Sequence, residues 1–181
     1  MRIPSAALLI GATLAAGAAA APTLEPGAAA PAFTAQAALA GREFTFSLAQ
    51  TLKKGPVVLY FYPAAFTPGC TIEAHEFADA TDDFAKLGAT IIGVSPDPIA
   101  TLDKFSVSEC RNKFAVAADA DRSIEKAYGA VLPEDPKYAN RTSFVIAPDG
   151  RIAYAYTDMD PDKHIENTMN AVKALQARTG H

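Results

Sequence analysis

Apolar residues recur along the chain in two rhythms, and the switches between them outline the elements. Phe44-Thr-Phe-Ser-Leu48 alternates with period two, as a half-buried strand does. Val57-Val-Leu-Tyr-Phe-Tyr62 is apolar or aromatic throughout, the pattern of a strand covered on both faces, and Pro63 ends it. From about Pro68 to Leu87 the period becomes helical: Phe77, Ala80, Phe84 and Leu87 lie three and four residues apart, and Gly88 supplies a stop. Thr90-Ile-Ile-Gly-Val94 reads as a second buried strand. Asp97 and Pro98 then suit the N-cap and first position of a helix that sets Ile99, Leu102, Val107, Cys110 and Phe114 near one face.

Ala115–Ala118 is a weaker strand signal, Arg122–Tyr128 a short helix, and Leu132–Asn140 a loop with Pro133 and Pro136. Ser143–Ile146 and Ile152–Tyr156 flank Pro148-Asp-Gly150 as the arms of a hairpin. A last helix from about Pro161 to Ala177 would turn Ile165, Met169, Val172 and Leu175 inward. Alternating β and α units closed by a hairpin and a helix predict an α/β fold, a three-layer sandwich with a mixed central sheet flanked by helices.

Composition agrees with one soluble domain in 181 residues, half of them hydrophobic and a fifth charged. The first stretch departs from this: Arg2, an apolar run through Leu8 and Ile10, then small residues to Ala21 read as a secretory signal over 1–21. Gly11, Gly17 and many alanines weaken it as a permanent membrane anchor. Pro, Ala and Gly over 22–32 suggest a tether, leaving 33–181 as the domain. The predicted location is outside the cytoplasm, in the periplasm of a Gram-negative bacterium. A formal net charge of −4 without long runs of one sign points away from nucleic acid and from stable membrane association.

Two cysteines are too few for a disulfide scaffold, so each needs its own account. Cys70 follows a central strand and falls in the first turn of a helix, where unpaired N–H groups and the positive end of the helix dipole favour thiolate. Thr67 can offer its hydroxyl to the sulfur or to a bound oxygen, and Pro63 and Pro68 stiffen the approach. Ionisation alone raises thiolate at pH 7 only about thirty-fold when a thiol pKa falls from about 8.5 to about 6. Positioning and charge stabilisation must supply the remainder of any efficient thiolate reaction.

Pro63-Ala-Ala-Phe-Thr67-Pro-Gly-Cys70 resembles the active-site pattern of the peroxiredoxins, in the alkyl hydroperoxide reductase and thiol-specific antioxidant superfamily. Leu59-Tyr-Phe-Tyr-Pro63 and Cys70-Thr-Ile-Glu-Ala74 are similar to the peroxiredoxin Q, or bacterioferritin comigratory protein, group. The resemblance, from about Gly27 to the last helix, implies a thioredoxin-like fold and a thiol peroxidase using no cofactor and no metal. It implies reduction of hydrogen peroxide and organic hydroperoxides through a Cys70 sulfenic acid, with a thioredoxin-like or other thiol reductant as partner. It also implies that Arg141 completes the site, although an arginine before a strand is, by itself, more often a surface residue.

The group often carries a resolving cysteine five residues after the reactive one, where this chain has His75, read as a solvated helix-surface imidazole. Other members place it on the next long helix, which makes Cys110 the resolving candidate, with a buried inert thiol as the alternative. No Cys-x-x-Cys pair supports a disulfide oxidoreductase, and no paired thiols support copper delivery. The non-enzymatic alternative is an exported module of the same fold held by a static Cys70–Cys110 disulfide. A monomer or weak dimer is expected.

Overall fold

The computed structural model describes residues 22–179, so the expected signal at 1–21 lies outside the described part. Seven strands form one sheet in the order β2-β1-β5-β4-β3-β6-β7. They are β1 (Thr34–Leu39), β2 (Arg42–Ser47), β3 (Val57–Phe61), β4 (Thr90–Ser95), β5 (Ala115–Ala118), β6 (Thr142–Ile146) and β7 (Ile152–Thr157). β3, β4 and β5 are parallel, joined by crossovers through α2 (Pro68–Lys86) and α3 (Ile99–Ser108); the other pairings are antiparallel. The remaining helices are α1 (Leu48–Leu52), α4 (Ser123–Tyr128) and α5 (His164–Thr179), the last entered through a 3-10 turn, Pro161–Lys163.

The central strand divides the core as its uninterrupted apolar run predicts. Val58 and Tyr60, with Tyr62 just beyond the strand, face a cluster with Phe77 and Phe84 of α2, Leu102 and Phe105 of α3, and Val172 of α5. Val57, Leu59 and Phe61 face the opposite cluster, with Leu48 and Leu52 of α1 and Ile124 and Tyr128 of α4. Burial on both faces is therefore a consequence of two helical layers, and the three-layer α/β sandwich stands. Gly93 of β4 makes room for Tyr60: a Cβ there would lie 2.7 Å from the tyrosine ring.

Four local expectations change. β1 and its Ala40-Gly41 turn carry little sequence signal, because after Thr34 the segment Ala-Gln-Ala-Ala-Leu lacks the β-branched and aromatic residues that mark strands. α3 begins at Ile99 with Pro98 as its N-cap, one residue later than the expected Asp97 cap and Pro98 start, and ends at Ser108, so Cys110 sits in the turn beyond the helix rather than on it. The chain stops being helical there because Arg111 and Asn112 both adopt positive φ, 50° and 60°. The segment 22–32, expected as a tether, lies against the domain: Leu24 N–H donates to Tyr128 O and Gly27 N–H to Ile152 O.

Candidate active site

Cys70 is the third residue of α2, after Pro68 and Gly69. The first intrahelical bond runs from Thr71 N–H to Thr67 O at 2.9 Å, and Pro68 has no N–H, so the Gly69 and Cys70 donors have no intrahelical acceptor. The end of the helix thus presents positive potential to the sulfur. Helical spacing sets Glu73 on the same face one turn later. Both side chains are buried, Cys70 at 1% exposure and Glu73 at 0%.

Arg141 enters this buried corner from the residue preceding β6, itself only 3% exposed, which removes the surface-arginine alternative. Each of its three nitrogens has a partner. Nε donates to Met159 O at 3.0 Å, Nη1 donates to Glu73 Oε2, and Nη2 lies 3.5 Å from Cys70 Sγ. Gly69 permits this approach, since a Cβ at that position would meet Nη2 at 3.0 Å. One guanidinium is shared between the Glu73 carboxyl and the Cys70 sulfur. Burial pushes the Glu73 carboxyl up to about 8, and the charge and hydrogen bond of Arg141 pull against that rise.

Thr67 is exposed and serves differently from expectation. Its hydroxyl donates to Ala64 O at 3.0 Å, so the hydrogen is committed to the loop and Oγ1 is left as an acceptor. Pro63 is half-buried at the start of the same loop. Phe66 adopts φ 65° and sets its ring edge-on to Phe105, with centroids 5.2 Å apart. Asp97 anchors the loop from the end of β4: its Oδ2 accepts from Ala65 N–H at 2.7 Å and from Ser95 Oγ at 2.8 Å.

Behind Arg141 lies His164, fully buried at the start of α5. Its Nε2 faces Asp158 O at 2.9 Å; because a carbonyl only accepts, Nε2 carries hydrogen and donates. Nδ1 then accepts from Ser143 Oγ at 2.7 Å, and burial holds the imidazole down to about 4. His164 thereby fixes Asp158, whose neighbour Met159 supplies the carbonyl for Arg141 Nε.

Glu73, Ser143 and His164 were not read as site residues from sequence, and Asp97 was read only as a helix cap. Only Glu73 carried a usable signal, its spacing of three from Cys70 on a helix.

Cys110 is buried beside Tyr60, Tyr62 and Phe77, and both cysteines are free thiols. Burial, reinforced by the adjacent Glu109 carboxylate, pushes the Cys110 pKa up. His75 is not simply solvated, since its Nε2 lies 2.8 Å from Glu109 Oε2. Among the described residues no group of three or more His, Cys, Asp or Glu is placed to hold a metal, and no helix is long and apolar enough to cross a membrane.

Comparison with known proteins converges on the same chemistry. The AhpC/TSA family model matches residues 26–155. Peroxiredoxin Q, chloroplastic, of Oryza sativa subsp. japonica is 34% identical over 150 residues, covering 82% of this chain and 67% of the relative. Peroxiredoxin Bcp of Escherichia coli is 31% identical over 122 residues, covering 65% and 78%. The crystal structure of peroxidoxin BcpB from Mycobacterium tuberculosis superposes with a TM-score of 0.76 at 30% identity, covering 84% of this chain and 98% of that one. With the family model spanning the central strand, the Cys70 helix and Arg141, the chain belongs to the AhpC/TSA family, as a relative of the peroxiredoxin Q and Bcp proteins.

Proposed function

We propose that this protein is a thiol-dependent peroxidase that reduces hydrogen peroxide and organic hydroperoxides at Cys70. The observation that carries the reading is the Arg141 guanidinium, buried and fixed by Glu73 and Met159 O, with its free edge 3.5 Å from Cys70 Sγ at a helix start. The Cys70 thiolate attacks the terminal peroxide oxygen. The S–O bond forms as the O–O bond breaks, and the departing oxygen leaves as water or alcohol after taking up a proton. Thr67 Oγ1 accepts from the hydroperoxide O–H, which holds the O–O bond in line with the sulfur. Arg141 offsets the negative charge that develops on oxygen. Pro63 keeps the loop rigid.

The sulfenic acid of Cys70 is then resolved by Cys110, and the disulfide is reduced by a thioredoxin-like protein. Peroxiredoxins act with such reductants, and the Q and Bcp relatives support the same dependence here. The module held by a static Cys70–Cys110 disulfide finds no support among the relatives or in the free thiols. The monomer or weak dimer, and export by cleavage near Ala20 or Ala21, belong to this reading as well. Such cleavage would leave the docked segment from Pro22 intact.

Peroxide consumption by wild type, Cys70→Ser and Cys110→Ser with several donor thiols tests the whole scheme. Cys70→Ser abolishes turnover, whereas Cys110→Ser retains the first turnover and loses thioredoxin-driven cycling. Wild-type turnover in Cys70→Ser refutes the peroxidase reading.

A further inference from the structure

A histidine–carboxylate hydrogen bond and two ion pairs join α2 to the segment that carries Cys110. His75 Nε2 lies 2.8 Å from Glu109 Oε2, Arg111 Nη1 2.6 Å from Asp79 Oδ1, and Lys113 Nζ 3.3 Å from Asp82 Oδ2. His75, Asp79 and Asp82 are four and three residues apart, so they form one stripe along α2. Glu109, Arg111 and Lys113 alternate along the chain, and Cys110 between the first two is wholly buried in the aromatic core. Arg111 and Asn112, at φ 50° and 60°, place two consecutive non-glycine residues in the left-handed region. A strained turn fastened at its surface by charge pairs has a closed state that depends on those pairs.

We propose that the pairs His75–Glu109, Asp79–Arg111 and Asp82–Lys113 form a latch over Cys110, and that its opening sets the rate at which Cys110 reaches oxidised Cys70. The inference rests on the resolving role of Cys110 proposed above. In the step concerned, Cys110 sulfur attacks the sulfur of the Cys70 sulfenic acid. The S–S bond forms, the S–O bond breaks, and hydroxide leaves as water with the proton released by the Cys110 thiol. That step needs thiolate character, which burial and the Glu109 carboxylate oppose while the segment is closed. Opening brings the thiol to water.

The test uses the full reduced chain and two variants remote from Cys70, Asp79→Asn with Asp82→Asn, and the charge exchange Asp79→Arg with Arg111→Asp. Maleimide labelling, with the two thiols resolved by mass mapping, reads the exposure of Cys110. Acid-quenched mass analysis after one equivalent of hydrogen peroxide reads disulfide formation. In the neutralised variant both rates rise about three- to ten-fold, the range that exposed pairs support, while formation of the Cys70 sulfenic acid is unchanged. The exchange variant returns to within about twofold of wild type. General destabilisation would instead speed labelling in both variants.

Unchanged Cys110 labelling in the neutralised variant overturns the latch, as does an exchange variant that labels as fast as the neutralised one. If labelling accelerates but no Cys70–Cys110 disulfide forms in any protein, the resolving role is what fails, and with it any control of recycling by the latch.

Discussion

Arg141 has three separate partners, and only a planar fork satisfies them together. Lysine keeps the charge but cannot meet Met159 O, Glu73 and Cys70 Sγ at once. Arg141→Lys is therefore expected to lower the second-order rate of Cys70 oxidation about a hundredfold or more, read by stopped flow with a single equivalent of hydrogen peroxide. A loss of less than about threefold would show that charge alone suffices. Gly69→Ala perturbs the same geometry from the other side, because its Cβ would force Arg141 Nη2 away from the sulfur. It should slow the same step about tenfold while the fold persists, a loss typical of small misplacements of a catalytic group.

His164 gives the residue scale a pH signature. Burial lowers its folded-state pKa to about 4, against an ordinary value of 6.5. Between those values the unfolded chain binds the extra proton and the folded one does not, so stability falls as pH drops from about 6.5 towards 4. Glu73 acts with the opposite sign: its carboxyl is raised to about 8, so its contribution is present below about 4.5 and is lost as pH rises through 8. Comparison with His164→Gln removes the part of the Glu73 contribution that does not depend on His164, whose Nδ1 lies 3.7 Å from Glu73 Oε1. Urea unfolding of both proteins should show wild type losing on the order of 3 kcal/mol relative to the variant between pH 7.5 and 4. Parallel curves would mean that His164 is not held neutral by burial.

At the scale of elements, the turn between β4 and α3 carries the catalytic loop. Asp97 precedes the helix and looks like its cap, but its carboxylate faces back to Ala65 N–H and Ser95 Oγ. Local sequence could not distinguish these uses, because an aspartate before Pro98 suits either and the deciding partner is 32 residues away. Asp97→Ala leaves the Ala65 N–H without its acceptor, at a cost of about 1–2 kcal/mol. The loosened loop should slow Cys70 oxidation more than Asp97→Asn does, since asparagine keeps one oxygen for Ala65. Equal rates in the two variants would detach Asp97 from the loop's function.

At the scale of the molecule, the parts written in long periodic runs were legible: β3, β4, α2 and the final hairpin were all readable from hydrophobic period and turn chemistry. The Pro63–Cys70 segment was legible because its residue types are unusual together. Glu73, Asp97 and His164 were not, because a polar residue acquires meaning only from partners that the fold brings to it. The segment 22–32 was misread for a related reason, since Pro, Ala and Gly composition suggests a tether when the hydrogen-bond partners are remote in sequence.

Those partners define a last test. Leu24 and Gly27 N–H groups donate to Tyr128 O and Ile152 O, Ala30 N–H donates to Gly150 O, and Ile152 N–H donates to Ala28 O. Thr23 Oγ1 donates to Gly129 O at 2.9 Å, and Arg151 Nη1 to Gly27 O at 2.9 Å. Leu24, Ala28 and Ala30 pack on the cluster across the sheet from Cys70. At roughly 0.5–1 kcal/mol for each exposed or partly buried bond, with the apolar contact added and the entropy of ordering the segment set against both, the net contribution is on the order of 3 kcal/mol. A chain beginning at Phe33 should therefore melt about 6–12 °C below one beginning at Pro22. Its rate of Cys70 oxidation at 25 °C should be unchanged, because none of the severed contacts reaches the site. Equal melting temperatures would restore the tether, whereas a slower peroxide step would reveal coupling across the sheet between the docked segment and the Cys70 helix.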